Sequence, residues 1–310
     1  MSVAKILDLA FIRFRAPDLG KMHRFLTDFG MIDAVAEQSA NCIYMRGNGP
    51  APFIHATELG EPGFAAMGVW VRDMEDLKRL AAHDGLAVEP FDAPGGGFVV
   101  RLTDPDGFRI EAVAGHAPAA PLPGPALSEW NSGGDNRRIA GHRRIATGPS
   151  HVVRLGHCAF NVADIHASEA WYKERFGLLT SDEVLTPAGD VDGIFMRCDL
   201  GEQPADHHAI VVSALPQAGV CFMHCAFEVA DLDDVMAGHD HLLRGGHTQH
   251  WGVGRHVLGS QIFDYWLDPW GHEHEHWTDG DQLRSSDPVR IATVEQLLSH
   301  HWGPPAPPPA

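Results

Sequence analysis

Residues 252–275 read GVGRHVLGSQIFDYWLDPWGHEHE, and the last third of this stretch has a copy elsewhere in the chain. Asp268-Pro-Trp-Gly271 is a tight-turn sequence: proline presets the backbone at its second position and glycine closes it. A glutamate, Glu275, follows the glycine by four residues. Asp104-Pro-Asp-Gly107 and Glu111 repeat the arrangement in the first half. In both halves the residues around the turn have the composition and spacing of two short strands.

The repeat widens on moving outward. Leu7–Arg15 (LDLAFIRFR) alternates as a strand does. Asp18 then caps a helix whose apolar face is Leu19, Met22, Leu26 and Phe29, and Gly30 stops it. Leu155–Val162, Asp164 and Phe176-Gly177-Leu178 follow the same order. Ala66–Val71 leads to a helix opened by Asp73, and Val220–Val229 leads to one opened by Asp231. Four strand–helix–strands units in two pairs are expected. The fold class is therefore α+β, with one domain over 1–115 and a second over 153–285. Between them 116–152 is a Pro/Ala-rich and then polar linker. Its basic run (Arg137, Arg138, Arg143, Arg144) is expected to face solvent. The tail, 286–310, carries one helical piece from Ile291 to His300 and ends in GPPAPPPA, a disordered composition.

The bulk numbers exclude several classes. With Lys+Arg 23 against Asp+Glu 41 and a net charge of -18, the chain lacks the basic surface that nucleic acid or an anionic membrane needs. No apolar run reaches the length of a membrane span. MSVAKILDLAFIRF lacks the apolar core of a signal peptide, so a cytoplasmic location is expected. The five cysteines contain no CxxC and read as free thiols.

Aligning the halves on their helix-opening aspartates sets Phe11 opposite His157 and Ala66 opposite His224. One half thus carries His, His and Glu at three places where the other carries Phe, Ala and Glu. This is the pattern of a working site beside a degenerate copy. Glu273 faces the same way as Glu275, but its counterpart is Arg109, whereas Glu275 matches Glu111. Strand alternation places His272, His274 and His276 on the other face, where a solvent position is expected. The same alternation groups His224 with Phe222 and Ala226, opposite Met223. Two histidines and a carboxylate from three strands make a facial set with open positions, suited to non-heme Fe(II).

GxGRH at 252–256 and FxYxxDPxGxxxE at 263–275, with His157 and His224 upstream, carry a resemblance. Over about residues 5–285 the chain resembles the two-domain type I extradiol ring-cleavage dioxygenases of the vicinal oxygen chelate superfamily. Val253 departs from the family's usual proline. The resemblance implies paired βαβββ modules forming open, barrel-like mixed sheets with helices outside. It implies His157, His224 and Glu275 as ligands of Fe(II), with Mn(II) served by the same donors. It makes His256 and Tyr265 the groups that hold the catecholate. It makes His208 of ADHHAIVV, in preference to His207, the acid/base. The implied reaction is extradiol cleavage of a substituted catechol by O2 to a muconic semialdehyde type of product, in aromatic catabolism. The substrate is expected to be monocyclic, like a methylcatechol or trihydroxytoluene, with a dihydroxybiphenyl as the alternative; a homo-oligomer is expected. Two other functions belong to the same superfamily: a glyoxalase-like metal-dependent isomerase and a non-catalytic small-molecule binder. Trp251, Val253 and Trp302 are read as packing residues near the pocket.

Overall fold

A computed structural model describes residues 2–125, 129–215 and 217–307. In the first half β1 (Ile6–Ala16), α1 (Leu19–Asp28), β2 (Ile32–Asp33), β3 (Cys42–Arg46) and β4 (His55–Leu59) form one unit. β5 (Gly63–Val71), α2 (Met74–Asp84), β6 (Glu89–Pro90), β7 (Phe98–Thr103) and β8 (Arg109–Ala114) form the next. The second half repeats this with β9 (Val152–Asn161), α3 (Ile165–Phe176), β10 (Leu179–Leu185), β11 (Val191–Arg197), β12 (Ala205–Asp206) and β13 (Ile210–Ser213). Then come β14 (Cys221–Val229), α4 (Leu232–Gly245), β15 (Thr248–His256), β16 (Ile262–Leu267) and β17 (Glu273–Thr278). β18 (Gln282–Leu283), β19 (Arg290–Thr293), α5 (Val294–Leu297) and β20 (His300–Trp302) complete the chain.

The expected helix starts are present, because a capping aspartate acts within one turn of chain. Asp18, Asp73, Asp164 and Asp231 each sit in extended backbone and accept from amides of the first turn. Both Asp-Pro-x-Gly turns close, with Gly107 N–H donating to Asp104 O and Gly271 N–H to Asp268 O, each at 3.1 Å. The fold is α+β as expected. The sheets run β2-β3-β4-β1-β5-β8-β7-β6 and β19-β10-β11-β13-β9-β14-β17-β16-β15-β20, and neither closes into a barrel. No helix among the described residues is long and apolar enough to cross a membrane.

The halves pack through an aromatic seam, and this corrects one expectation. His274 and His276 are fully buried, not on a solvent face. They point away from Glu275 into Phe14, Phe25, Phe29 and His55 of the first half. His276 stacks on Phe29 at 3.7 Å between ring centroids and donates from Nε2 to the Phe29 carbonyl at 2.7 Å. His272 is half-buried and bonded to Asp268. Alternation gave the face correctly. What covers that face is a long-range packing fact that the strand itself does not encode.

Three further readings change. The register between β9 and β14 shifts between Phe222 and His224, a bulge at Met223. Phe222 therefore packs with Phe64 and Phe160, while Met223 joins His224 on the cavity side. Arg143 of the linker is not solvated: it pairs with Asp231 at 2.7 Å and with Asp233, and lies over Trp130. The tail runs as strand, short helix and strand, with β19 added beside β10 and β20 beside β15. Residues up to 307 are placed against the second half; the last three, on which the expected disorder also falls, lie outside the described residues.

Phe29→Ala should lower stability by about 3–5 kcal/mol, read as a fall in the urea midpoint. The exposed Leu59→Ala should stay within about 0.5 kcal/mol of the parent.

Candidate metal centre

Strand register builds the site. His157 on β9 pairs with Ala226 on β14, Ala226 pairs with Glu275 on β17, and Glu275 pairs with Tyr265 on β16. Four neighbouring strands thus place His157, Ala226, Glu275 and Tyr265 in one row, and the small Ala226 leaves room above it. His224 adds a second imidazole from β14, two residues from Ala226 and so on the same face. The candidate donor atoms of His157, His224 and Glu275 lie within 4.8 Å of one another. Glu275 Oε2 is 3.1 Å from His157 Nε2 and 3.5 Å from His224 Nε2.

The first half carries the same row: Phe11 on β1, Gly68 on β5, Glu111 on β8 and Arg101 on β7. Glu111 is also buried, and its charge is met by arginines. Arg13 Nε donates to it at 2.9 Å, Arg109 Nη2 at 2.7 Å and Arg101 Nε at 3.3 Å. Arg13 lies over the rings of Phe11 and Phe53, at 4.9 and 5.7 Å. Register puts Arg13 opposite Ala66, where the second half has Ala159 opposite His224. The counterpart of Arg13 is therefore an alanine, and above it the second half has a cavity.

Glu275 has no such partner. It is fully buried, its Oε1 has no hydrogen bond, and no Lys or Arg among the described residues pairs with it. Burial pushes its carboxyl up to about 7, against the pull of His224 and the Tyr265 hydroxyl. Burial pushes His157 down to about 3 and His224 down to about 4, so both present neutral imidazoles at pH 7. Two neutral imidazoles facing a buried, unneutralised carboxylate suit a divalent cation in both charge and donor type.

A cavity of about 340 Å³ opens beside the triad. His208, His256 and Tyr265 line it with the two candidate ligand histidines, His157 and His224. His256 Nε2 and the Tyr265 hydroxyl are 3.0 Å apart. The His208 ring is 4.2 Å from that of His157, while His207 lies behind it with Nδ1 3.0 Å from Nδ1 of His208. Glu273 is also on the cavity wall, paired with His250 at 2.8 Å. The remaining wall is mostly apolar, including Phe195, Val211, Met223 and Leu258. Trp251 lines the cavity and donates to the Pro304 carbonyl, whereas Val253 packs into the core and Trp302 is half-exposed on β20.

Residues 154–275 match the family model of the Glyoxalase/Bleomycin resistance protein/Dioxygenase superfamily. The match lies wholly in the second half and spans the strands that carry His157, His224 and Glu275. Over 293 residues the chain is 27% identical to metapyrocatechase 2 of Cupriavidus necator, covering 94% of this chain and 87% of that protein. Its fold is also that of homoprotocatechuate 2,3-dioxygenase from Brevibacterium fuscum in complex with 3,4-dihydroxyphenylacetate. That match has a TM-score of 0.79 at 21% identity and covers 99% and 92% of the two chains. A Mn(II)-bound glyoxalase from Novosphingobium aromaticivorans matches with a TM-score of 0.78 at 20% identity, covering 99% and 96%.

Sequence reasoning missed four residues, three around this site and one, Arg13, at its counterpart in the first half. Arg13 had a signal: an arginine between apolar neighbours within LAFIRFR, two residues before Arg15. Leu297 and Pro307 of the tail, which help close the cavity, had none. Asp182, buried against His207, had none either.

Glu275→Gln should abolish retention of a divalent metal on gel filtration, as measured by elemental analysis, and Glu273→Gln should keep it. Because the folded carboxyl sits above its ordinary 4.5, its ionisation costs stability as pH rises through about 7. At pH 8 and without metal, Glu275→Gln should therefore be the more stable protein, by about 1–3 kcal/mol in urea; the difference should vanish below pH 4.5.

Proposed function

We propose that the protein cleaves the ring of a substituted catechol next to its diol, with O2, at an Fe(II) held by His157, His224 and Glu275. The observation that carries this reading is the meeting of a two-His, one-carboxylate set with His208, His256 and Tyr265 on one apolar cavity. The similarity to metapyrocatechase 2 over nearly the whole chain supports it. When bound, the metal supplies Lewis acidity to the diol oxygens and open positions for diol and O2. Mn(II) fits the same donors.

The protein's own groups have separable tasks. Tyr265 and His256 orient the diol; burial holds His256 at about 3 and Tyr265 well above its ordinary value, so both meet the diolate as neutral hydrogen-bonding groups. His208, held well below its ordinary value by burial, is neutral before reaction and can take the second diol proton at a ring nitrogen, then return it as the ring opens. The apolar wall excludes water from the diol. No Lys or Arg is among the described residues lining the cavity, which supports an uncharged ring substituent over a carboxylated one. A methylcatechol or trihydroxytoluene fits that chemistry, and a dihydroxybiphenyl is the alternative. A cytoplasmic homo-oligomer goes with this reading and is tested by light scattering and fractionation.

The likeness to a Mn(II)-bound glyoxalase favours one second reading, a metal-dependent isomerase on the same fold. Oxygen uptake separates the two. Protein loaded anaerobically with Fe(II) and given 4-methylcatechol in air should form a yellow product and consume one O2 per diol; iron-replete protein that consumes no O2 with any substituted catechol would sink the proposal. His208→Ala should keep iron and anaerobic catechol binding but lose about 10²–10⁴-fold in kcat.

A further inference from the structure

Behind His208 stand two buried polar residues that the reaction as described leaves without a task. Asp182 on β10 is 3% exposed and His207 is 1% exposed. Asp182 Oδ2 lies 3.1 Å from His207 Nε2, and His207 Nδ1 lies 3.0 Å from His208 Nδ1. Asp182 and His207 are in charge contact without an aligned hydrogen bond, and with His208 they make a row, carboxylate to imidazole to imidazole, ending at the cavity. It is held from several sides. The His207 amide donates to the Asp281 carbonyl at 2.9 Å, and Phe195 packs against both rings. Gly259 passes so close that an added Cβ would come within 3.0 Å of His207 Nδ1.

Two facing ring nitrogens can share only one proton between neutral imidazoles, so the order of the chain matters. The negative charge of a carboxylate 3.1 Å from Nε2 of His207 favours a proton on that nitrogen over a lone pair there. The neutral ring then has its lone pair on Nδ1 and accepts from Nδ1–H of His208. That leaves the lone pair of His208 on Nε2, away from His207. The opposite order would set a lone pair of His207 against a buried carboxylate, which is repulsive where water cannot screen it.

We infer that Asp182 and His207 are positioning residues that fix His208 as the Nδ1–H tautomer, with its Nε2 lone pair free for the diol. The inference rests on the reading of His208 as the proton-handling group, but the tautomer can be measured without turnover.

The test uses the full chain labelled with 15N-histidine and loaded with Zn(II), which is diamagnetic. Two-bond 15N–1H correlations report which ring nitrogen carries the proton, and His208 is assigned from the signals lost in His208→Phe. Wild type should show Nδ1–H at His208. Asp182→Asn presents an amide donor to His207 Nε2, so it should reverse the chain and move the proton to His208 Nε2. A wild-type His208 protonated at Nε2, or a tautomer unchanged in Asp182→Asn, would overturn the inference. In Fe(II) enzyme, Asp182→Asn should lower kcat by about 10²-fold with KM and iron content unchanged. Asp182→Ala, which removes the anchor without enforcing the wrong tautomer, should lose less. A merely structural carboxylate would make alanine the worse substitution, and that order would also count against the inference. If the protein turns over no catechol, the wild-type tautomer still decides the matter.

Discussion

A carboxylate taken out of water needs a cation, and this chain meets that need in two ways at equivalent places. Glu111 and Glu275 occupy the same position in the two halves, each across from a strand that carries a small residue. In the first half, arginines close around the carboxylate and the Arg13 side chain lies among aromatic rings. In the second half, alanine replaces Arg13, histidines replace Phe11 and Ala66, and the carboxylate is left without a fixed positive charge. Burial alone cannot explain retaining such a group, because an unpaired buried charge is strongly unfavourable. A divalent ion explains it, together with the open space beside it. The degenerate half is therefore informative: its arginines show what the second half lacks.

The rest of the second half follows from holding that carboxylate in place. β17 is covered on both faces. Of its odd residues Glu273 lines the cavity and Glu275 meets His157 and His224, while its even ones, His274 and His276, face the aromatic seam with the first half. The seam makes the abandoned half structurally necessary: without Phe14, Phe25 and Phe29, the back of the strand that carries Glu275 would be exposed.

Much of this was legible in the sequence because the signals were local or periodic. The four aspartate caps and the two Asp-Pro-x-Gly turns came from short stretches compared with their copies, and the same comparison is what proposes Glu275 over Glu273. The misses have a common cause. The burial of His274 and His276 depends on a partner surface more than two hundred residues away. The bulge at Met223 is a register shift between strands and leaves no mark within VCFMHCAFEV. The pairing of Arg143 with Asp231 and Asp233, and the tail's place on the cavity wall, are likewise tertiary. Arg13, between apolar neighbours, was visible in LAFIRFR, and the same alignment that paired Phe11 with His157 would have paired it with Ala159.

The most direct test of the central claim is anomalous diffraction at the iron absorption edge from crystals grown anaerobically with Fe(II). One strong peak is expected between His157, His224 and Glu275, and none beside Glu111. A peak at another cluster, such as the seam histidines, or no peak in protein that binds iron in solution, would contradict it.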